Sequence, residues 1–239
     1  MAEKIYTIPV NEAFESNSEC PFCFMKRKLE RDAINFTMGP SYMEDDVRAV
    51  TDKTGFCGEH LLKMYKEKNR LGLALMLESH MRKTIQRYEK KALAYKPKAA
   101  GLFGKKSDDD AFPNEIMDLK NDCYICKRME ESYTRYISTF FYLLNEREFQ
   151  QKLENCNGFC LEHYAMLLKE AKKELPQKKL DEFVPLITRL TFDNLKRVDE
   201  DLDWFIKKFD YRFQEEPWKN SKDAVPRSIT KLEGETPEQ

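Results

Sequence analysis

Six of the seven cysteines and two of the three histidines in this 239-residue sequence belong to one pattern that occurs twice. Each copy has a CxxC pair and, after 33 intervening residues, a CxxH pair; the last two intervening residues are Gly-Phe, which completes the pattern GFCxxH. The two copies match at a constant offset of 103 residues. The candidate ligands of the first copy are Cys20, Cys23, Cys57 and His60, and those of the second are Cys123, Cys126, Cys160 and His163.

Three thiolates and one imidazole form a common ligand set for zinc, which takes four such ligands in a tetrahedron. Cysteines three residues apart at the start of a helix lie on the same side of it, so both can reach one ion. Each copy holds a complete set, and the sequence therefore predicts two zinc ions per chain, each bound within one copy. Four protein ligands leave no open position, which favours a structural ion over a catalytic one.

Other chemistries remain open for the same residues. Iron–sulfur clusters are an alternative cofactor, although three cysteines and one histidine are an uncommon set for them. A metal-dependent enzyme would need an open coordination position, and a redox protein would use the thiols directly. A thioredoxin-like CxxC is disfavoured because it requires a βαβ context, and the sequence offers no predicted strands to build one.

Several residues near the pattern are not predicted to be ligands. Glu59 and Glu162 directly precede the ligand histidines, where they could act as general bases or as acids favoured by the helix dipole. His80 and Cys156 have no matching histidine or cysteine in the other copy, because the residues at the offset of 103 are Phe183 and Lys53. We therefore expect His80 and Cys156 to lie outside the metal sites.

Four helices are predicted in each copy, and the first begins at the CxxC pair. The second is short, near residues 42–52 and 146–155, and a glycine follows it at a position where a left-handed C-cap is expected. The third begins at the CxxH pair. An ion would then join the first and third helices of the same copy.

The fourth helix of each copy is the longest. Apolar residues at three- and four-residue spacing predict it over about 71–93 in the first copy and 178–213 in the second. Pro185 should bend the second of these, because proline removes a hydrogen bond from a helix interior.

The predicted fold is all-α, a helical bundle built from two tandem pseudo-symmetric four-helix repeats, each stapled by a Cys3His metal site. The internal duplication sets the boundaries. The predicted ranges are an extended N-terminal lead-in over 1–10, a first metal-binding repeat over 11–94, a linker over 95–113, a second repeat over 114–213 and a mobile C-terminal tail over 214–239.

Composition excludes some classes of function. Lys and Arg together number 41 and Asp and Glu 42, so the net charge is -1 and a nucleic-acid partner is disfavoured. No segment approaches the roughly 20 apolar residues of a membrane helix. The first residues lack the basic and apolar regions of a signal peptide. We therefore expect a cytoplasmic protein whose reduced cysteines bind metal.

The CPxC and GFCxxH motifs, on helices rich in leucine and tyrosine, resemble those of a group of bacterial all-helical proteins with duplicated CxxC…CxxH modules and no assigned activity. The resemblance implies metal binding at the eight ligand positions. The resulting hypothesis is a zinc-stapled binding or adaptor protein, with no catalytic residue assigned and with a protein or small molecule as its partner.

Overall fold

Helices make up most of the part of the chain that the structure describes. The computed structural model describes residues 4–96 and 110–237, and these residues contain no β-strand. Two short 3-10 segments, Lys4–Tyr6 and Pro40–Met43, lie in the N-terminal part. The α-helices are α1 (Thr7–Glu15), α2 (Pro21–Met38), α3 (Asp45–Thr54), α4 (Gly58–Lys66), α5 (Arg70–Ala94), α6 (Ala111–Asn121), α7 (Tyr124–Leu143), α8 (Arg147–Asn155), α9 (Leu161–Glu174), α10 (Gln177–Lys207) and α11 (Ala224–Glu233).

The four helices predicted for each copy are present, as α2–α5 and α7–α10. A short non-helical segment separates the third and fourth helices of each copy. In the first copy, Asn69 caps α5 by accepting a hydrogen bond from the Gly72 N–H at 2.9 Å. Helix α10 passes through Pro185 and ends at Lys207, six residues before the predicted end.

Both ends of the chain differ from the prediction. The expected extended lead-in over 1–10 is helical from residue 4 onward, and Val10 and Phe14 of α1 are buried. The expected mobile tail over 214–239 contains α11. Its buried positions are Ala224, Thr230 and Lys231, whereas its large apolar residues Val225, Ile229 and Leu232 are exposed.

The expected linker over 95–113 lies mostly outside the described residues. Its last residues, from Ala111, already form the first turn of α6, a helix that the sequence analysis did not predict. None of the α6 residues is buried, although it contains both apolar and charged residues. Helices of the described segments include no candidate membrane span.

The chain divides into two compact units that alternate along the sequence. Unit 1 comprises residues 1–28 and 132–239, and unit 2 comprises residues 29–131. The boundaries therefore fall inside α2 and α7 rather than in the predicted linker. Each unit combines the CxxC pair of one copy with the GFCxxH motif of the other, which differs from the tandem division that the sequence predicts.

The core of unit 1 is aromatic. Phe14, from the unpredicted helix α1, stacks on Phe140 with ring centroids 5.6 Å apart and meets Phe149 edge-on at 4.9 Å. Phe22, between the two cysteines of the first CxxC pair, lies edge-on to Phe140 at 5.3 Å. The CxxC segment of the first copy is thus anchored in this aromatic core.

Methionine and smaller aliphatic side chains fill the core of unit 2. Met64 and Met76 are fully buried, and Ile125, from the second CxxC pair, lies in the same cluster. Ile125 occupies the position that matches Phe22 of the first copy. In both units, therefore, an apolar residue inside the CxxC pair anchors the ligand segment in the core.

Gly158 is the glycine of the second GFCxxH motif, two residues before Cys160. It has a backbone conformation that only glycine adopts easily. Its φ is +73°, and a Cβ placed on it would lie 2.4 Å from the backbone oxygen of Leu190 in α10. The close approach allows the chain to turn between α8 and α9 and so present Cys160 to the cluster.

We predict that Gly158→Ala lowers the free energy of unfolding by at least about 2 kcal/mol, because it combines a strained φ with a clash against backbone. Gly58→Ala is the matched control, since a Cβ there meets nothing within 4 Å. Urea titration of both variants measures the difference. Equal stabilities would show that the approach to Leu190 is not as close as described.

Candidate metal centre

The eight predicted ligands form two clusters, but the pairing is crossed between the copies. One cluster, site 1, consists of Cys20, Cys23, Cys160 and His163, and the other, site 2, consists of Cys57, His60, Cys123 and Cys126. Within each cluster one donor atom from each residue lies within 4.8 Å of all the others. All eight residues named from the sequence lie in these clusters, whereas the expectation that each cluster forms within one copy is wrong.

Helix lengths explain the crossing. At 1.5 Å per residue, the 18 residues of α2 span about 27 Å, whereas the ten residues of the return helix α3 span about 15 Å. The chain therefore does not come back to the start of α2. His60 instead contacts Glu30, in the middle of α2, at 3.1 Å. The CxxC pair that lies beside His60 belongs to the second copy.

Site 1 is fully enclosed in unit 1. Its histidine Nδ1 lies 3.0 Å from Cys160 Sγ, 3.2 Å from Cys23 Sγ and 3.5 Å from Cys20 Sγ, and the Sγ atoms of Cys23 and Cys160 are 3.6 Å apart. No ligand of site 1 is more than 3% exposed. The four side chains thus point at one small volume that water does not reach.

Site 2 has the same arrangement in unit 2. His60 Nδ1 lies 3.1 Å from Cys57 Sγ and 3.4 Å from both Cys123 Sγ and Cys126 Sγ. The Sγ atoms of Cys57 and Cys126 are 4.0 Å apart. Cys123 and His60 are buried, Cys57 is half-buried and Cys126 is exposed. Site 2 therefore matches site 1 in donor atoms but not in access to solvent.

The donor spacings fit a bound metal ion. Ligands at about 2.3 Å (S) and 2.0 Å (N) from a tetrahedral zinc lie about 3.5–3.8 Å from one another. The sulfur–sulfur distance of 3.6 Å in site 1 falls in this range, and the distance of 4.0 Å in site 2 is slightly longer. They are far longer than the roughly 2.05 Å of a disulfide bond, and all seven cysteines are free. Both clusters could therefore hold one metal ion each.

All four ligand pairs use the same local device at a helix N-terminus. The first ligand directly precedes the helix, and the second is its third residue. The backbone carbonyls of Cys20, Cys57, Cys123 and Cys160 each accept the first hydrogen bond of the helix, at 2.9–3.1 Å. Helix N-termini carry partial positive charge, which stabilises thiolates. Two such N-termini meet at each cluster.

The orientation of His60 is that of a metal ligand. Its Nδ1 faces the three sulfurs, and its Nε2–H donates to the Glu30 carboxylate at 3.1 Å. Ligating histidines commonly donate their second N–H to a carboxylate, which fixes the ring and increases its basicity. Lys63 donates to the same carboxylate at 2.7 Å and so holds Glu30 in place. Sequence analysis had not singled out Glu30.

Tyr133 occupies the equivalent place beside site 1. It lies 103 residues after Glu30, and its ring centroid is 6.1 Å from that of His163. Its hydroxyl is buried and has no hydrogen-bond partner among the described residues. Burial, followed by the nearby thiolates, raises the pKa of Tyr133, so it stays a neutral phenol. The sequence carries no signal for either residue, because a glutamate and a tyrosine at matching positions do not form a shared motif.

The charges around site 2 are arranged to accept a cation. The hydrogen bond from His60 is the main cause that lowers the pKa of Glu30 to about 2. Burial acts to lower the pKa of His60, but Cys123 and Glu30 outweigh it and raise this pKa to about 10. Burial and the charge of Cys123 raise the pKa of Cys126 to about 12. Without a metal ion, protons must therefore neutralise the cluster, and metal binding would release them.

Different contacts join the two ligand segments in each site. In site 2, the Tyr124 N–H at the start of α7 donates to the Gly55 carbonyl at 3.0 Å. The matching residue in site 1 is Pro21, which has no N–H. There the buried ammonium of Lys231 donates to the carbonyls of Glu19, at 2.6 Å, and Asn157. Helix α11 thus makes the connection that proline prevents.

The remaining residues of interest lie outside both clusters. Glu59 pairs with Lys63 at 2.8 Å, and Glu162 lies 3.8 Å from Lys26. The ring of His80 packs against Gly55, with Nδ1 2.9 Å from the Asp52 carbonyl. Cys156 is buried, and its sulfur accepts a hydrogen bond from the Gly158 N–H at 3.4 Å. None of the four belongs to a candidate metal cluster.

Fold and site together define an all-helical protein with two Cys3His clusters that could bind metal ions. The family described as "Family of unknown function (DUF6062)" matches residues 1–239. The chain therefore belongs to this family. No curated protein matches the chain significantly, and no solved structure does either.

The crossed pairing predicts which double substitutions remove one ion and which remove two. Cys23→Ser with Cys160→Ser changes one cluster and should leave one metal ion per chain, whereas Cys23→Ser with Cys57→Ser changes both and should leave none. Elemental analysis of the purified variants measures the content. Cys156→Ser is the control and should retain two ions. If the Cys23 and Cys160 variant held no ion and the Cys23 and Cys57 variant held one, the ligands would be paired within each copy instead.

Glu30 should strengthen metal binding at site 2. We predict that Glu30→Gln weakens binding there about 10- to 100-fold, because it removes the charge that the His60 Nε2–H faces. Competition with a chromogenic chelator measures the affinity. Glu59→Gln is the matched control, since Glu59 also pairs with Lys63 but does not touch the histidine. A similar loss of metal affinity in both variants would show that the effect acts through Lys63 and not through the contact between Glu30 and His60.

Proposed function

We propose that this protein binds two zinc ions, one in each Cys3His cluster, and that each ion is structural. One observation carries the proposal: in both clusters three Sγ atoms and one Nδ1 atom lie within 4.8 Å of one another. Four protein donors complete the tetrahedral coordination of zinc. No position then remains for a water molecule or a substrate.

The spacing favours a single ion over an iron–sulfur cluster. The inorganic atoms of such a cluster lie between its ligand thiolates and hold them apart. Here Cys23 Sγ and Cys160 Sγ are 3.6 Å apart, and Cys57 Sγ and Cys126 Sγ are 4.0 Å apart, which suits one shared ion. We place the protein in the cytoplasm, where reducing conditions keep the thiols free for metal binding.

The ions would act as cross-links between distant parts of the chain. Site 1 joins residues 143 positions apart, and site 2 joins residues 69 positions apart. Closing loops of this length costs conformational entropy. Because the ligands converge only in the folded chain, the free energy of metal binding adds to the free energy of folding.

A binding or adaptor role would be carried by the outer faces of the helices. In unit 2, Leu62 and Tyr65 of α4 and Leu71 of α5 are each at least 60% exposed. Contiguous exposed apolar patches are typical of protein interaction sites, and Leu62 and Tyr65 are neighbours on α4 because they lie three residues apart. We propose a protein partner for this face, and affinity capture with the intact chain and with Leu62→Glu as the control tests it.

Removal of the metal tests the structural role. We expect two zinc ions per chain by elemental analysis, and we expect a strong chelator or Cys23→Ser to lower the melting temperature while most helical content remains. The helices have apolar cores of their own, so they need the ions less than a zinc finger does. Circular dichroism melting measures both quantities.

Two outcomes would contradict the proposal. If the protein purified anaerobically contained iron and absorbed visible light, its cofactor would be an iron–sulfur cluster and not zinc. An unchanged melting temperature after complete removal of the metal would show that the ions do not stabilise the fold, and the enzyme alternative would then be favoured.

A further inference from the structure

The two clusters share one donor set but differ in their access to solvent. All four ligands of site 1 are buried. In site 2, Cys126 is exposed and Cys57 is half-buried, whereas Cys123 and His60 are buried. Thiolates react with oxidants according to their exposure. A soluble oxidant could therefore reach two sulfurs of site 2 and none of site 1.

Helix α11 is what covers site 1. Gly234, directly after this helix, lies so close that a Cβ on it would be 3.6 Å from Cys160 Sγ and 3.7 Å from Cys23 Sγ. Lys231 anchors the helix through the carbonyls of Glu19 and Asn157 and through an ion pair of 3.2 Å with the Glu19 carboxylate. The cover is thus held by a buried charge.

The two accessible sulfurs of site 2 are also neighbours. Cys57 Sγ and Cys126 Sγ lie 4.0 Å apart, on the N-termini of α4 and α7. A disulfide bond requires about 2.05 Å between the sulfurs. A small shift of the two helix ends brings them into bonding distance.

We propose that site 2 is an oxidation site, at which a hydroperoxide converts Cys57 and Cys126 to a disulfide and so ends metal binding. This inference rests on the proposed metal occupancy of the site. Site 1 is protected by α11 and retains its ion under the same conditions.

The chemistry balances in two steps. The Cys126 thiolate attacks one peroxide oxygen, the O–O bond breaks, and the products are a sulfenic acid and hydroxide, or an alkoxide from an organic hydroperoxide. The Cys57 thiolate then attacks the sulfenic sulfur, forms the S–S bond and displaces hydroxide. Two thiolates are oxidised and one peroxide is reduced. Only Cys123 and His60 remain as ligands, too few for a closed site.

The disulfide would keep α4 joined to α7 in place of the ion. Site 2 could therefore release its metal without separating these helices. A dithiol reductant returns both sulfurs to thiolates by exchange, and its own thiols become a disulfide. The modification is accordingly reversible as long as the sulfenic acid does not oxidise further.

The experiment treats the full-length zinc-loaded protein with hydrogen peroxide in the presence of a chromogenic zinc indicator. We expect one equivalent of zinc to appear at least about tenfold faster than the second, because only site 2 exposes its thiolates. Peptide mapping by mass spectrometry under non-reducing conditions should then find Cys57 joined to Cys126. Reduction with dithiothreitol and added zinc should restore two ions per chain.

Site 1 serves as the internal control, and the zinc content before oxidation separates the two proposals. A chain that contains two zinc ions and releases both at equal rates, or neither, would overturn the oxidation site and leave the structural role intact. A disulfide within Cys20, Cys23 and Cys160, or between Cys123 and Cys126, would also overturn it. A chain that contains no zinc at the start would refute the proposed function itself.

Discussion

The meeting of two helix N-termini at each cluster is the constraint on which the rest of the structure depends. A tetrahedral ion needs four donors within about 4 Å of one another, and here each helix supplies two from a single turn. The partial positive charge of both N-termini offsets the repulsion among the thiolates. Once α2 must meet α9, and α4 must meet α7, the paths of the connecting helices are largely determined.

The two sites reach this arrangement by different means. Site 2 uses a backbone hydrogen bond from Tyr124 to Gly55 and lies open on one side. Site 1 has Pro21 in place of that donor and depends on Lys231, a fully buried lysine from the last helix. Removing one partner of a buried charge pair typically costs about 3–5 kcal/mol, so the contact between Lys231 and Glu19 makes α11 an integral part of unit 1.

Residue type and spacing were enough to predict which eight residues form the two clusters and to predict eight helices, but not how the eight residues combine. Pairing within a copy and pairing between copies use the same eight residues and the same spacings, so the motif alone cannot distinguish them. The difference arises from the lengths of α2 and α3. The sequence predicts these lengths only approximately, so it does not reveal that α3 is too short to return the chain to the start of α2.

Other features were missed because the residues that hold them in place are polar. Helix α11 is held by the ammonium of Lys231 in an interior of carbonyls and one carboxylate, and a lysine in a polar segment normally predicts exposure. Glu30 is similar, because a single carboxylate inside a charged stretch of α2 gives no hint that it faces a histidine. Both residues are recognised only once the chain is folded.

The interleaved units also have a consequence for the order in which the molecule can assemble during synthesis. Site 2 is complete once residue 126 has left the ribosome, whereas site 1 requires residue 163 and its cover requires α11. Before residue 123 emerges, however, the nascent chain already carries Cys20, Cys23, Cys57 and His60, a full set of ligands in the wrong combination. An ion captured at that stage would have to be surrendered before the native partners arrive, which makes metal supply during translation a potential source of misfolding.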